Sequence, residues 1–310
     1  MYRFYRGGAL LGRLRDERAE DGPFPEDWVA SVTPASNPGR RVDPEEGLTR
    51  LADGRLLRDA IESGPAYWLG PDHVRRFGAT TGLLVKLLDS AERLPVHAHP
   101  DRAFAREQLA SEFGKTEAWF VIATREETAA VWVGLLEGVD APTYRGWIER
   151  QEIGSLLGSL NRLTVRVGDV VYVPAGVPHA IGAGVLIAEL QEPTDFSILC
   201  EWRGFPVRAE DTHLGLGWER AITALNLLTS RFESCRPRRP RTSGRTRCPS
   251  PPAASPSCSS SKGGARSTAC RPARVVRSRS RRRATGSMSP AACASCAASH
   301  PFLDATRGSA

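Results

Sequence analysis

The strongest constraint on the fold is a spaced motif near the middle of the chain. Gly168, Pro174, Gly176 and His179 follow the pattern G-x5-P-x-G-x2-H, and the apolar run VVYVP lies inside it. Gly168 and Asp169 turn the chain into this run, and Pro174 ends it because proline cannot donate to a strand ladder. Gly176 permits a tight turn after the strand. The motif therefore predicts a short strand, a turn, and a histidine returned toward the mouth of a β-barrel.

A pair of histidines separated by one residue lies upstream, in LPVHAHPD. On a strand, residues i and i+2 face the same side, so the imidazoles of His97 and His99 would point into one space. Two converging neutral nitrogen donors suit a metal ion. Taken alone, the pair is equally compatible with two surface histidines that precede a turn.

The segment GKTEAW places a carboxylate at the start of a strongly apolar run, EAWFVIAT. An unpaired carboxylate is costly in such surroundings, and a metal ion would supply a partner for Glu117. Lys115 lies two residues earlier, on the same face of an extended chain. An exposed ion pair at the beginning of a strand is the alternative.

Short runs rich in β-branched and aromatic residues recur between residues 83 and 202, with Gly, Pro and Asp between them. Helical patterns are fewer, at roughly 48–63, 101–112, 143–159 and 217–231. This pattern predicts a mainly β protein, a sandwich or jelly roll with a few helices, in preference to a parallel α/β sheet. The sequence contains no GxGxxG, P-loop or GxSxG motif.

The charge of the chain changes abruptly after residue 233. Of its 42 basic residues, 16 lie in residues 234–310 beside a single acid, Asp304, which gives this tail a charge of +15. The preceding 233 residues hold 26 basic and 34 acidic residues, a charge of −8. The basic character of the whole chain therefore comes from its tail.

The tail has the composition of a segment that cannot form a core. Ser, Arg, Ala, Pro and Cys make up 59 of its 77 residues, and too little apolar surface is present to offset the entropy of ordering. We predict a domain over 1–232 and a disordered tail over 233–310, interpreted as the product of a frameshift in GC-rich coding DNA. A basic arm on nucleic acid is the alternative, but a single Phe and no Tyr or Trp argue against a specific nucleic-acid partner.

Cysteine usage and hydropathy predict the compartment. Six of the seven cysteines lie in the tail and only Cys200 in the preceding domain, which indicates a cytoplasmic protein. No run of about 18 apolar residues occurs, so no membrane partner is predicted.

The G-x5-P-x-G-x2-H segment is the second motif of the cupin jelly rolls, and the His pair followed by Glu117 resembles the first. Over about residues 24–230 the sequence resembles class I mannose-6-phosphate isomerase. The resemblance is carried by PEDWVAS, LLVKLLDSAERLPVHAHPDRAFA, GKTEAWFVIAT and VRVGDVVYVPAGVPHAIGAGVLIAELQEPTDFSILCEW. It implies a cupin fold, one Zn²⁺ or another divalent ion per chain, and conversion of a small sugar phosphate, mannose 6-phosphate, to fructose 6-phosphate through a cis-enediol.

By position, the resemblance also implies the site residues. The metal ligands would be His97, His99, Glu117 and His179, and the catalytic residues Lys115 and Glu189. Lys86 and Arg203 are candidates for substrate binding. Two alternatives stay open: a metal-binding cupin that binds a sugar or other small ligand without turnover, and an isomerase for a different sugar.

Three positions depart from the family pattern. His97 replaces the usual Gln, which leaves a divalent metal site possible. Pro95 stands where the family often has a serine, and Leu199 stands where it has an arginine. These two changes weaken the expectation that the sugar carries a phosphate.

Overall fold

The computed structural model describes residues 1–40 and 43–228. The predicted tail over 233–310, and the last residues of the predicted 1–232 domain, lie outside the described residues. Within the described ranges, no helix has the length and apolar character needed to cross a lipid bilayer.

The described chain is mainly β, as predicted. Its strands are β1 Glu26–Val29, β2 Leu84–Ser90, β3 His97–Ala98, β4 Glu117–Thr124, β5 Ala130–Leu135, β6 Leu160–Thr164, β7 Val170–Val173, β8 His179–Ile181, β9 Val185–Gln191 and β10 Ile198–Leu199.

The helices are short and lie between or beside the strands. They are α1 Ala9–Leu14, α2 Leu57–Ser63, α3 Pro65–Leu69, α4 Pro71–Phe77, α5 Arg102–Leu109, α6 Ala141–Arg150, α7 Ile153–Gly158 and α8 Trp218–Ala221. The helix predicted over 48–63 was wrong in its first half, because the turn at Gly54 (φ +86°) delays the helix to Leu57. The helix predicted over 143–159 is two helices, separated at Gln151 in the left-handed region (φ +51°).

The strands form two antiparallel five-stranded sheets. One sheet has the order β1-β2-β9-β4-β7, and the other has the order β10-β3-β8-β5-β6. Apart from the β5–β6 hairpin, successive strands from β2 to β10 alternate between the two sheets, as in a jelly roll. The predicted fold class is therefore confirmed for the described residues.

Each sheet contributes one row of neighbouring side chains to the candidate site. Across the first sheet, Trp28 is opposite Lys86, Lys86 is opposite Glu189, and Glu189 is opposite Trp119. Across the second sheet, Leu199 is opposite His97, and His97 is opposite His179. Side chains directly opposite in a ladder share a face, so each row presents its members together.

Apolar side chains of both sheets fill the space beyond these rows. Trp119, Val121, Val133, Val171 and Ile187 belong to one buried cluster, with at most 1% of their surface exposed. Alternation along β4, where Trp119 is buried and Phe120 is 40% exposed, shows the period of two that a half-buried strand requires. The packed core thus fixes which strand residues face the site.

Candidate metal centre

Three histidines converge at one end of the sandwich. His97 lies in β3 and His99 directly follows that strand, and His179 at the start of β8 lies opposite His97 in the ladder. Ligand atoms of the three side chains lie within 4.8 Å of one another, and all three residues are buried. The convergence expected from the His-x-His spacing and from the downstream motif is present.

Backbone carbonyls fix the tautomer of all three rings. Nδ1 of His97 lies 2.8 Å from the Pro95 carbonyl, Nδ1 of His99 2.8 Å from the Phe196 carbonyl, and Nδ1 of His179 2.8 Å from the Val177 carbonyl. A carbonyl only accepts, so each Nδ1 donates its hydrogen and each Nε2 keeps a lone pair. This is the arrangement in which proteins present histidine to a metal.

A carboxylate completes the cluster. Glu117 Oε1 lies 3.1 Å from Nε2 of His179 and 3.3 Å from Nε2 of His99. Since these nitrogens carry lone pairs, no hydrogen is available between them and the oxygen. Nε2 of His99, Nε2 of His179 and Oε2 of Glu117 are all buried without a hydrogen-bond partner in the structure. Buried acceptors facing one another are costly unless a cation lies among them.

The glycine turn of the downstream motif ties the two histidine segments together. Gly176 adopts φ +82°, and its amide donates to the His99 carbonyl at 2.6 Å. A Cβ at this position would lie 3.0 Å from the Ala224 carbonyl oxygen. Both the left-handed conformation and the close approach require glycine, which explains why the motif has glycine at this position.

Burial keeps His97 and His99 in their neutral, metal-binding form. It lowers the pKa of His97 well below its usual value, and the neighbouring His179 and His99 lower it further. Burial and the Lys115 ammonium lower the pKa of His99 to about 3. Burial by itself would raise the pKa of Glu117, but the Lys115 ammonium, 3.9 Å from its Oε2, helps to hold this pKa well below its usual range.

The donor set fits a zinc ion. Three neutral imidazole nitrogens and one carboxylate oxygen are ligands that Zn²⁺ accepts, and orphaned buried acceptors at the cluster match the need for a cation. His97 and Glu117 also line an adjoining cavity of about 140 Å³. An ion held by these side chains would therefore lie beside a space that admits a small molecule.

Lys86, Lys115 and Glu189, predicted from the resemblance, also line this cavity. Lys115 Nζ lies 3.9 Å from Glu117 Oε2, and Lys86 Nζ lies 3.9 Å from Glu189 Oε2. Burial and the charge of Glu117 raise the pKa of Glu189 well above its usual value. Burial and the charge of Lys86 lower the pKa of Lys115.

A charged network at the other end of the cavity was not predicted from the sequence. Arg3 donates from Nε to Glu26 Oε2 at 2.8 Å and from both terminal nitrogens to Asp195 at 2.9 Å. Glu26 also accepts from Tyr5 Oη and from Trp28 Nε1. Arg3 and Asp195 are separated by 192 residues, so no local spacing could reveal the pair. The resemblance covered Glu26 in PEDWVAS and Asp195 in QEPTDFSILCEW, but it assigned neither residue a role.

Arg203 does not line the cavity. It is exposed, and its guanidinium donates to the Arg150 carbonyl at 3.3 Å. The expectation placed it four residues after Leu199 on the same strand face, but β10 ends at Leu199 and a turn follows. Its position gives no support to a role in substrate binding.

Comparison with known sequences identifies related enzymes. The chain is 37% identical over 145 residues to mannose-6-phosphate isomerase from Streptococcus mutans, a match that covers 45% of this chain and 44% of that one. It is 35% identical over 127 residues to mannose-6-phosphate isomerase from Bacillus subtilis, covering 40% and 39%. This chain is similar to mannose-6-phosphate isomerases. The resemblance predicted from the motifs is confirmed, although the matches span less than half the length of these curated relatives.

Comparison with solved structures finds the same kind of enzyme. A crystal structure of mannose 6-phosphate isomerase from Bacillus subtilis superposes with a TM-score of 0.51 at 25% identity, covering 73% of this chain and 66% of that one. A phosphomannose isomerase variant from Salmonella typhimurium, at 14% identity and a TM-score of 0.50, shows the shared fold only. No family model matches the sequence.

Proposed function

We propose that this chain is a zinc-dependent aldose–ketose isomerase of the mannose-6-phosphate isomerase type, which interconverts mannose 6-phosphate and fructose 6-phosphate or the corresponding sugars through a cis-enediol. The observation that carries the proposal is the cluster of buried acceptors on His99, His179 and Glu117, open through His97 to a cavity that also holds Lys115 and Glu189. The names of the relatives supply the reaction type.

Zinc, when bound by His97, His99, Glu117 and His179, would supply Lewis acidity toward the two substrate oxygens between which the carbonyl moves. The isomerisation itself is balanced within the substrate. A proton leaves C2 and one is returned to C1, while the proton of the O2 hydroxyl is transferred to O1. No external oxidant or reductant is required.

Lys115 and Glu189 are the candidates for holding these protons. Each is buried and within electrostatic reach of the other. The environment lowers the pKa of the Lys115 ammonium and raises the pKa of the Glu189 carboxyl. The two groups therefore approach each other in acidity, which is the condition for efficient removal and return of a proton near neutral pH.

The test is isomerisation followed by proton NMR in deuterium oxide. Mannose 6-phosphate and mannose are offered separately to the full chain, first loaded with zinc and then treated with a chelator. The proposal predicts conversion of at least one sugar, incorporation of solvent deuterium at C1 or C2, loss of both with chelator, and recovery on addition of zinc. Zinc binding without turnover of either sugar would contradict the isomerase and leave the metal-binding cupin alternative.

Replacing Glu189 by Gln separates the roles within the site. Glu189→Gln is expected to retain zinc, because this side chain is not a proposed ligand, and to lose deuterium exchange by a factor of about 100 or more. Glu127→Gln, at an exposed glutamate, is the matched control and should retain both properties. Unchanged exchange in Glu189→Gln would remove this residue from the proposed mechanism.

The predicted domain boundary can be tested in the same assay. We propose that residues 1–232 contain the functional unit, since every residue of the cluster and of the cavity lining lies before residue 215. Deletion of residues 234–310 should leave zinc binding unchanged. Loss of zinc from a chain that stays folded would contradict this boundary.

A further inference from the structure

The cavity beside the metal cluster is lined by more acids than bases. The basic side chains in its described lining, apart from His97, are Arg3, Lys86 and Lys115. The acidic side chains are Glu26, Glu117, Glu189, Asp195 and Asp211. Asp211 is paired with Arg208 outside the lining, so four carboxylates of this wall face three cations, and the side chains themselves supply no surplus of positive charge for an anionic substrate.

Two of these three cations already face buried carboxylates inside the wall, and the third, Lys115, lies 3.9 Å from Glu117 Oε2. Arg3 donates from Nε to Glu26, and its terminal nitrogens donate to Asp195 and, at 3.2 Å, to the Ser36 carbonyl. Lys86 Nζ lies 3.5 Å from Asp195 Oδ1 and makes a cation–π contact with Trp28, 4.6 Å from the centre of the ring. A bound phosphate would have to compete with a buried carboxylate for each of these groups.

The wall next to His97 is hydrocarbon. Leu199 lies directly opposite His97 in the β10–β3 ladder, is 3% exposed and lines the cavity. Pro95 lines the same wall and has no N–H to offer an anion. Two further arginines, Arg102 and Arg203, are engaged outside the cavity, by Glu192 and by the Arg150 carbonyl.

A phosphate ester adds a charge of about −1.5 to −2. Placed in this cavity, it would meet buried carboxylates, and Arg3, the arginine in the described lining, already binds Asp195 with both terminal nitrogens. A neutral polyol is favoured by the same wall, because carboxylates accept and ammonium groups donate hydrogen bonds to hydroxyls.

We infer that the preferred substrate of this site is an aldohexose without a phosphate group. The inference rests on the proposed isomerase function and concerns which member of the sugar pair the cavity accepts best. Leu199 is the residue that sets this preference, since it occupies the wall beside the metal cluster where a cation would be needed.

The first test compares kcat/KM for mannose and for mannose 6-phosphate on the zinc-loaded full chain. The inference predicts a ratio of at least 10 in favour of mannose. A ratio of 1 or less overturns it while leaving the isomerase proposal intact, whereas no turnover of either sugar is the failure of the proposed function. A ratio between 1 and 10 also overturns the inference, because the predicted discrimination would be missing.

The second test places a cation on the hydrocarbon wall and needs no turnover. Binding of mannitol and of mannitol 6-phosphate is measured by calorimetry on the wild type, on Leu199→Arg and on the uncharged control Leu199→Met. Leu199→Arg should shift the affinity ratio at least tenfold toward the phosphate, and Leu199→Met should leave it within twofold. If Leu199→Arg fails to fold, Pro95→Lys on the same wall replaces it. If the affinity ratio of the two ligands is unchanged in the folded cationic variant, this wall does not determine the preference for the sugar without phosphate.

Discussion

The two ends of the cavity treat buried charge in opposite ways. At one end, Arg3 links Glu26 and Asp195 through hydrogen bonds of 2.8 to 2.9 Å, and nearly every polar atom has a partner. At the other end, His99, His179 and Glu117 turn acceptors toward one another and leave three buried atoms without a hydrogen bond. Both ends are buried to a similar degree, so the difference lies in the pairing.

This difference in pairing indicates that one end stabilises the fold and that the other end binds an ion. The paired network holds together the N-terminal segment, β1 and the segment after β9, and it is complete without a ligand. The histidine end is incomplete, and a cation would satisfy all of its orphaned atoms at once. Variants that change one end only test whether the paired network is structural and the histidine end depends on an ion.

The largest effect is expected from the paired network. Asp195→Asn leaves Arg3 and Lys86 buried with one carboxylate fewer, so the free energy of unfolding should fall by about 3 to 5 kcal/mol in urea titrations. Asp72→Asn, in an exposed ion pair with Arg75, is the control and should change stability by less than about 0.5 kcal/mol. Equal effects of the two substitutions would show that the network is not structural.

The histidine end should influence stability only through its ion. Zinc at a hundredfold excess over its Kd should raise the free energy of unfolding by ~2.7 kcal/mol. His179→Ala should lose this increment, and His73→Gln, at a histidine that bonds the Thr80 carbonyl away from the cluster, should keep it. Melting curves with zinc and with chelator measure both. A zinc increment that survives in His179→Ala would place the ion elsewhere.

Acid should destabilise the two ends in different pH windows in the zinc-free chain. The pKa of His99 is about 3 in the folded state and near 6.5 in the unfolded chain. The unfolded chain therefore binds more protons below pH 6.5, and stability falls as the pH drops from about 6.5 toward 3. Against burial, Arg3 and Lys86 lower the pKa of Glu26 to about 2, so its contribution is present above about pH 4.5 and lost as the pH falls toward 2.

Urea titrations between pH 7 and pH 3 check these windows. His99→Gln should flatten the profile between about pH 6.5 and 4.5, where Glu26 does not contribute. Glu26→Gln should leave that range unchanged and reduce the slope below about pH 4.5. An identical change of the profile in both variants would mean that the two ends do not titrate separately.

The smallest effect is expected for Glu117→Gln in zinc-free protein. The amide can donate a hydrogen to Nε2 of His99 or His179, which relieves an acceptor–acceptor contact, although it loses the charge interaction with Lys115. The free energy of unfolding should change by less than about 1 kcal/mol. A loss as large as that of Asp195→Asn would contradict the contrast between the two ends.

The sequence predicted the histidine end because its residues are fixed by local geometry. His97 and His99 are two apart on one strand, and the turn at Gly176 determines where His179 points. The jelly roll followed from the same alternation and from the frequent turns. Lys86 and Glu189 entered only through the resemblance, and their pairing across β2 and β9 is visible only in the register.

The paired end could not be predicted for the opposite reason. Arg3, Glu26 and Asp195 come from three distant segments that meet only in the folded chain, and no spacing rule connects them. Arg203 was a candidate because strand periodicity was extended past Leu199, where β10 ends, and it lies outside the described lining of the cavity. Local patterns predicted ligands on short strands and turns, and failed where packing alone brings residues together.

The central claim is that three histidines and Glu117 hold one ion at the histidine end of the cavity. Anomalous diffraction from zinc-soaked crystals, recorded on both sides of the zinc absorption edge, tests it directly. The account predicts one zinc peak about 2.0 to 2.1 Å from Nε2 of His97, His99 and His179 and within about 2.2 Å of a Glu117 oxygen. A zinc peak bound elsewhere in a zinc-saturated crystal, or no peak among these four side chains, would contradict it.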